Sequence, residues 1–316
     1  MIRYLKKENR ELVTVPEKQG APWISLYPPY EHGELEAFAE EHNLPLDFLT
    51  DSLDVDERSR YEREDDATLI LVNTPILNTD LRESEAIYIT VPIGIILTPE
   101  YLITITGREN PTVEKFLEDK VKNFDPSDRK LFVLQLFEQN VYMFLDCLKK
   151  LNLKRNLIEQ ELFNSSRNRE LQQLLRIEKS LVYFVNSLST NELLKMKMKR
   201  TDLLEIRDRE YHTDLFEDLI IDNSQALEMS NVYTNILSGT MEAYASIVSN
   251  NMNVFIHRLT IITIILMVPT LVASFYGMNL KNLPLQDYEY AFYLILILSF
   301  LFGFLLILYF RRKKRF

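Results

Sequence analysis

Two long apolar segments near the C-terminus constrain this chain more than any other feature. Residues 259–280 contain no Asp, Glu, Lys or Arg, and neither do the 21 residues 290–310. A helix needs about 20 predominantly apolar residues to cross the hydrocarbon core of a bilayer. The sequence therefore predicts two transmembrane helices joined by a short connection.

The basic residues around these segments predict their orientation. The sequence RRKKR at 311–315 follows the second segment directly and Arg258 precedes the first, whereas the connection carries only Lys281. Lys and Arg are enriched on the cytoplasmic side of membrane proteins. We therefore expect a multi-pass protein of the cell (inner or plasma) membrane, surrounded by lipid, with residues 276–289 outside and both termini cytoplasmic.

The first part of the chain has the mixed pattern of a small α/β unit. Apolar runs rich in β-forming residues occur at 23–26, 68–72, 86–90, 94–98 and 101–105, and Pro99-Glu100 between the last two indicates a hairpin. Residues 33–54 read as short helices. The strand order is not predictable from this pattern.

From Asp125 onward the pattern is helical. Asp125-Pro126 is a good N-cap and first-turn pair. Apolar residues then recur at spacings of three and four, which indicates long antiparallel helices packed like a coiled coil. They are Leu134, Phe137, Val141, Phe144, Leu148 and Leu151 in the first helix, and Leu171, Leu174, Leu181, Val185 and Leu188 in the second. We interpret both rows as core packing.

The next helix is acidic. Between Glu210 and Ile256 there is no Lys or Arg, and the carboxylates at 210, 214, 217, 218 and 222 fall on one helical face. Like charges at such spacings destabilise an isolated helix by about 0.2–0.5 kcal/mol per pair. One explanation is an acidic face that answers the basic tail or a neighbouring chain. The other is a carboxylate surface that binds divalent cations.

No proline interrupts residues 127–268, so the acidic helix is expected to run without a break into the first apolar segment, from about residue 202 to 275. Its length would be roughly 110 Å. Two membrane helices offer too little surface to enclose a pathway, so transport would require several copies around an axis.

One stripe of the first apolar segment is polar. Its members follow one another at spacings of three and four, and they are Asn253, Ile256, Leu259, Thr263, Met267, Thr270 and Ser274. Such a stripe can be a helix-packing seam, because Ser and Thr join membrane helices. It can also line a pore, since polar side chains in membranes face protein or water. Asn253 and Asn279, near its two ends, favour the pore.

The sequence SFYGMNL at 274–280 ends this segment. Gly277 is expected to let the chain leave the helix in a left-handed or extended conformation. Asn279 would place a neutral amide oxygen at the external mouth, where it can accept hydrogen bonds from the waters that Mg²⁺ gives up reluctantly.

Tyr276-Gly277-Met278-Asn279 after the first of two C-terminal apolar segments, followed by a basic tail, resembles the CorA family of divalent-cation transporters. The segment EAYASIVSNNMNVFIHRLTIITIILMVPT resembles that family's pore helix, and LPLDFLTDSLDVDERSR resembles its α/β region more weakly. The resemblance implies a funnel-shaped homopentamer that carries Mg²⁺, often with Co²⁺ or Ni²⁺, and is gated by cytosolic Mg²⁺. It implies no cofactor besides that ion.

The resemblance also implies roles for particular residues. Gly277, Met278 and Asn279 would form the outer selectivity loop. Met267 and Leu259 would form a hydrophobic constriction, and Asn253 an inner polar ring. Asp218 would belong to a regulatory Mg²⁺ site between subunits, with Asp51 or else Asp54 as its partner and Asp214 and Asp222 beside it.

Departures from the family pattern leave the ion preference open. Many relatives have Met-Pro-Glu-Leu after this motif, where the present chain has Leu283-Pro284-Leu285-Gln286. The missing loop carboxylate has possible substitutes in Asp287 and Glu289. Ser274 stands where close relatives often have glycine.

The predicted organisation is an α+β cytosolic domain with long stalk helices and two C-terminal transmembrane helices. Its parts are an α/β domain at 1–124, an antiparallel helical pair at 125–200, a stalk helix at 201–253, the pore helix at 254–275, the external loop at 276–289, a second transmembrane helix at 290–310 and a basic tail at 311–316.

Two alternative functions remain open at this point. A ZntB-like Zn²⁺ transporter would share the fold and the motif, although the four histidines form no cluster. A membrane-anchored sensor or scaffold would not conduct at all. An enzyme is not expected, because the seven glycines include no phosphate-binding loop and no nucleophile-elbow or metal-hydrolase motif occurs. No nucleic-acid partner is expected.

Overall fold

The structure is a computed structural model that describes residues 1–9, 11–16, 20–79, 85–164, 168–278, 284–285 and 288–312. The chain divides into two compact units, Met1–Met241 and Glu242–Phe316.

The first unit contains a seven-stranded mixed sheet in the order β2-β1-β3-β7-β6-β5-β4. Its strands are β1 Ile2–Glu8, β2 Glu11–Val15, β3 Trp23–Leu26, β4 Arg60–Glu64, β5 Ala67–Leu77, β6 Tyr88–Leu97 and β7 Leu102–Thr106. Strands β3 and β7 are parallel, with Trp23 opposite Leu102, and the other neighbours are antiparallel.

The helices are α1 Glu34–His42, α2 Leu46–Thr50, α3 Pro111–Leu117, α4 Arg129–Asn164, α5 Asn168–Thr201, α6 Glu210–Tyr276 and α7 Ala291–Arg312. Helix α6 has 67 residues and passes from the first unit into the second.

The sheet is buried on both faces. Adjacent strand residues point to opposite faces, so Leu102 joins a core with α3, α4, α5 and the start of α6, while Ile103 joins a second core with α1 and α2. Trp23 anchors the first core, where its indole N–H donates to Thr104 Oγ1 at 2.9 Å and its ring meets Phe132 edge-on. The sheet between helical layers confirms the predicted α+β fold.

The hairpin at Pro99-Glu100 is confirmed, because Leu97 pairs with Leu102 and Thr98 N–H donates to the Tyr101 carbonyl. The separate strands predicted at 86–90 and 94–98 are wrong. Both belong to β6, which continues through Pro92. Three further strands were not predicted, because β1 and β4 are rich in charged residues and β2 and β4 are the exposed sheet edges.

Helix α4 begins one turn later than Asp125-Pro126 predicts. Asp128 Oδ1 accepts the Leu131 N–H at 3.1 Å, so Asp128 acts as the cap, and Asp125 Oδ1 holds the preceding turn by accepting the Ser127 N–H. The predicted apolar row of α4 is fully buried, and the Phe144 ring packs edge-on against Phe184 of α5 at 5.2 Å.

Buried amides fasten α4 and α5 to strand β5. Strand β4 pairs with β5 only as far as Leu71, so the backbone of Asn73 lies beyond its partner strand. Asn191 replaces that strand: its Oδ1 accepts the Asn73 N–H at 3.0 Å and its Nδ2 donates to the Asn73 carbonyl at 2.8 Å. Asn140 of α4 donates to the same carbonyl at 3.0 Å. The N–H and carbonyl of Asn73, which strand β4 does not reach, are thereby hydrogen-bonded.

Candidate functional site

The second unit consists of the C-terminal part of α6 packed against α7, and both helices are long and apolar enough to cross a membrane. Ile261 of α6 is 1% exposed, and Ser299 and Gly303 are buried on α7. The helices approach closely at Gly303, where an added methyl group would lie 3.7 Å from Ile265 Cγ2. Small residues of this kind allow membrane helices to pack tightly.

The predicted polar stripe lies on the opposite side of α6 from this contact. Each residue advances a helix by about 100°, so Thr263, Thr270 and Ser274 lie about 180–220° around the helix from Ile261. All seven stripe residues are exposed in the single chain, with Met267 at 60%. Helix α7 therefore covers only the apolar strip of α6 around Ile261 and Ile265, and the polar stripe lies on the side that it leaves open.

The threonine hydroxyls of this part of α6 donate within their own helix. Thr263 Oγ1 donates to the Leu259 carbonyl at 2.9 Å, and Thr270 Oγ1 donates to the Leu266 carbonyl at 2.9 Å. A hydroxyl oxygen that has donated its hydrogen retains lone pairs as acceptors. The stripe consequently presents neutral hydroxyl oxygens, which can accept hydrogen bonds from the water molecules around a hydrated cation.

The end of α6 differs from the expectation for Gly277. The Gly277 N–H donates to the Ala273 carbonyl at 2.9 Å, as in a continuing helix, and the φ of Gly277 is not in the left-handed region. A Cβ at this position would meet only ordinary contacts at 3.4 Å or more. Of the two expected conformations, the left-handed one is therefore excluded, and the local backbone alone does not require glycine here.

The residues after this turn are described only in part. The Tyr276 hydroxyl donates to the Pro284 carbonyl at 2.8 Å, which joins the end of α6 to the connection, and Met278 is exposed. Asn279, the central residue of the predicted selectivity loop, lies outside the described residues, as do Leu283, Gln286 and Asp287.

Comparison with known proteins assigns this arrangement to a family. The family model described as CorA-like Mg²⁺ transporter protein matches residues 18–312. The chain belongs to the CorA family. The cobalt/magnesium transport protein CorA of Methanocaldococcus jannaschii is 27% identical over 308 residues, which cover 92% of this chain and 90% of the relative.

Solved structures agree with this assignment at the level of fold. The complete structure of the CorA magnesium transporter from M. jannaschii has a TM-score of 0.79 at 23% identity and covers 99% of this chain and 98% of its own. The ZntB cytoplasmic domain from Vibrio parahaemolyticus is more distant, with a TM-score of 0.61 at 10% identity, and it covers 78% of this chain and 97% of its own.

The carboxylates that the CorA resemblance implied for regulation lie in the first unit. Asp214 and Asp218 are exposed on α6, whereas Asp222 is half-buried. One carboxylate of this face has a basic partner within the same chain, because Glu217 accepts from Lys199 of α5 at 2.8 Å. The described residues contain no group of three or more His, Cys, Asp or Glu that could hold a metal ion.

The predicted partners of Asp218 already have contacts of their own. Arg60 donates to Asp51 Oδ2 at 2.7 Å and also pairs with Glu57. Asp54 Oδ1 accepts the Asp56 N–H at 2.9 Å. A Mg²⁺ site that uses Asp51 would thus have to compete with a guanidinium, which makes Asp54 the less encumbered carboxylate.

A functional candidate that the sequence reading missed is Lys195 of α5. It is 0% exposed, and its Nζ donates to Asn223 Oδ1 of α6 at 2.7 Å. The apolar row Leu174, Leu181 and Leu188 has a spacing of seven, and its next member is Lys195. A polar residue in a heptad seam is the signal that would have identified it.

Proposed function

We propose that this chain forms a homopentameric channel for hydrated divalent cations, with Mg²⁺ as the principal ion and Co²⁺ or Ni²⁺ as possible substitutes. The observation behind the proposal is the exposed polar stripe of α6 on the face that α7 leaves open. Polar groups at membrane depth face protein or water. Repeating the stripe around an axis would surround a path with neutral acceptors.

The expected path has three parts. The motif Gly277-Met278-Asn279 would select hydrated ions at the outer mouth, Met267 and Leu259 would narrow the middle, and Asn253 would form a polar ring at the inner end. Neutral oxygens suit this task, because conduction requires binding that is weak enough for release. The orientation with both termini in the cytoplasm follows from the positive-inside rule.

We also propose that cytosolic Mg²⁺ regulates the channel through Asp214 and Asp218 of α6. Their exposure on a helix that continues into the second unit supports this idea. Ions bound between acidic faces of neighbouring copies would offset charge repulsion and favour the closed state. A ligand shifts such an equilibrium only through its differential affinity for the two states.

Ion flux into liposomes that contain the purified protein tests the proposal. Mg²⁺, Co²⁺, Ni²⁺ and Zn²⁺ are compared with and without a proton gradient. Mg²⁺ uptake that needs only the membrane potential is expected. Uptake of Zn²⁺ alone, driven by protons, would instead identify a ZntB-like carrier. No flux of any ion from correctly assembled protein would favour a sensor or scaffold.

A further inference from the structure

Lys195 lies fully buried where three long helices meet. It belongs to α5, its Nζ donates to Asn223 Oδ1 of α6 at 2.7 Å, and it lies 5.5 Å from the ring centroid of Phe137 on α4. The Asn223 amide is itself fixed, because its Nδ2 donates to the Leu188 carbonyl at 3.0 Å. The lysine is therefore enclosed and its acceptor is held in one orientation.

The surroundings of Lys195 suit a neutral amine better than an ammonium. An ammonium has three N–H donors, and among the described residues only Asn223 accepts a hydrogen bond from it. Burial lowers the pKa of Lys195 from 10.5 to about 7, while the charges of Glu192 on α5 and Asp222 on α6 act in the opposite direction. Burial dominates because neither carboxylate pairs directly with the amine within the described chain.

A second polar contact joins the same two helices one turn away. Ser224 of α6 donates through its hydroxyl to Glu192 of α5. Glu192 thus accepts from α6 instead of pairing with Lys195. The interface between α5 and α6 consequently combines an amine, an amide and a carboxylate that all depend on the two helices staying in register.

We propose that Lys195 is a proton-controlled latch between α5 and α6, closed when its amine is neutral and released when solvent water reaches the amine and protonates it. The amine takes the proton from hydronium, and the resulting ammonium is solvated by water in place of Asn223. The latch goes beyond the transport function and does not depend on it.

Proton linkage gives the latch a defined pH range. In the released state Lys195 has its ordinary pKa of 10.5, and in the closed state its pKa is about 7. Release therefore takes up a proton between these two values. The equilibrium constant for release should rise close to tenfold for each unit by which pH falls through this range, and it should level off below about pH 7.

Hydrogen exchange of the full-length protein in lipid nanodiscs tests the latch. The amides of residues 216–226 on α6 are followed from pH 7.5 to 9.5 and corrected for intrinsic exchange rates. In the wild type the opening constant should rise nearly tenfold per unit as pH falls. Lys195→Met should remove this dependence. Lys197→Met should retain it, because Lys197 lies two residues away on the exposed side of α5, over the ring of Tyr61.

A second variant covers the case in which Lys195→Met does not fold. Asn223→Leu removes the acceptor, so when the titration is extended down to pH 5.5 the pH at which the opening constant levels off should lie below that of the wild type. A merely structural role for Asn223 would raise opening equally at every pH. A wild-type opening constant that does not change between pH 7.5 and 9.5, or an equal slope in Lys195→Met, would overturn the proposal.

Discussion

Helix α6 lies in two different environments along its length. In the first unit its apolar residues Phe216, Leu219 and Ala226 are buried, and Asn223 has partners on α5. In the second unit α7 covers only the face around Ile261, and the polar stripe stays exposed. Within a single chain, the apolar residues of the first part of α6 are therefore buried, whereas most of the surface of the second part has no partner in the described residues. We call this second part the incomplete part of α6. The incomplete part is where we place transport.

The largest effect is expected at the end of the incomplete part. Asn279→Ala removes the amide acceptor of the proposed selectivity loop without changing Gly277, so assembly should persist while Mg²⁺ flux falls at least about tenfold, the factor that a lost interaction of about 1.4 kcal/mol produces. Flux into liposomes measures this. Asn282→Ala is the matched control in the same connection, and wild-type flux from assembled Asn279→Ala would refute the role of the loop.

The next effect concerns the proposed constriction. Met267→Asp places a charge at an exposed stripe position, where it should draw water into the apolar segment and cause leak or altered selectivity while assembly persists. Monovalent and divalent currents across planar bilayers distinguish these outcomes. Ile262→Ser changes an exposed residue outside the stripe and should leave conduction intact. A tight and fully selective Met267→Asp channel would argue against a constriction at this position.

A smaller effect is expected in the first unit, where Asn191 binds the backbone of Asn73. Asn191→Ala leaves the buried N–H and carbonyl of Asn73 with weaker partners, which should cost about 1–3 kcal/mol in local stability. Hydrogen exchange of the β5 amides measures the loss. Asn186→Ala, at an exposed position of the same helix, should change stability by at most about 0.5 kcal/mol. Equal effects of the two substitutions would mean that the Asn191 contacts contribute little.

The regulatory proposal predicts the most modest change. Asp218→Lys would place a tethered cation on the acidic face of α6, so protease resistance of the first unit should depend less on Mg²⁺ than in the wild type. Limited proteolysis between a chelator and ~10 mM Mg²⁺ spans the range of weak carboxylate sites. Glu228→Lys, farther along α6, serves as the control. Unchanged wild-type cleavage across this range would exclude a Mg²⁺ sensor.

The sequence predicted those features that depend on periodicity. The buried apolar row of α4, and the buried members Leu174, Leu181 and Leu188 of the α5 row, follow from their periodic spacing. Edge strand β4 was missed because its residues RYERE are polar, which suits an exposed edge but resembles a loop. The left-handed alternative at Gly277 was wrong, because residue type alone does not determine whether a helix ends in a left-handed turn.

Contacts between distant parts of the chain could not be predicted. Lys199 neutralises Glu217 from another helix, and Arg60 holds Asp51, although neither pair is close enough in sequence to form a pattern. The replacement of a missing strand by Asn191 depends on where β4 ends. Lys195 is an exception, because the sequence shows it as the next member of the row Leu174, Leu181 and Leu188, whose spacing is seven residues.

We propose above that the polar stripe of α6 faces an aqueous ion path, and accessibility of its side chains to water tests this most directly. Cysteines introduced singly at Thr263, Met267 and Thr270 are treated with a membrane-impermeant thiol reagent while Mg²⁺ flux is followed. The native Cys147 gives little background, because burial raises the pKa of its thiol to about 12. The stripe cysteines should react and flux should be blocked, while Ile262→Cys should do neither. Reaction at Ile262→Cys with none at the three stripe positions would contradict it.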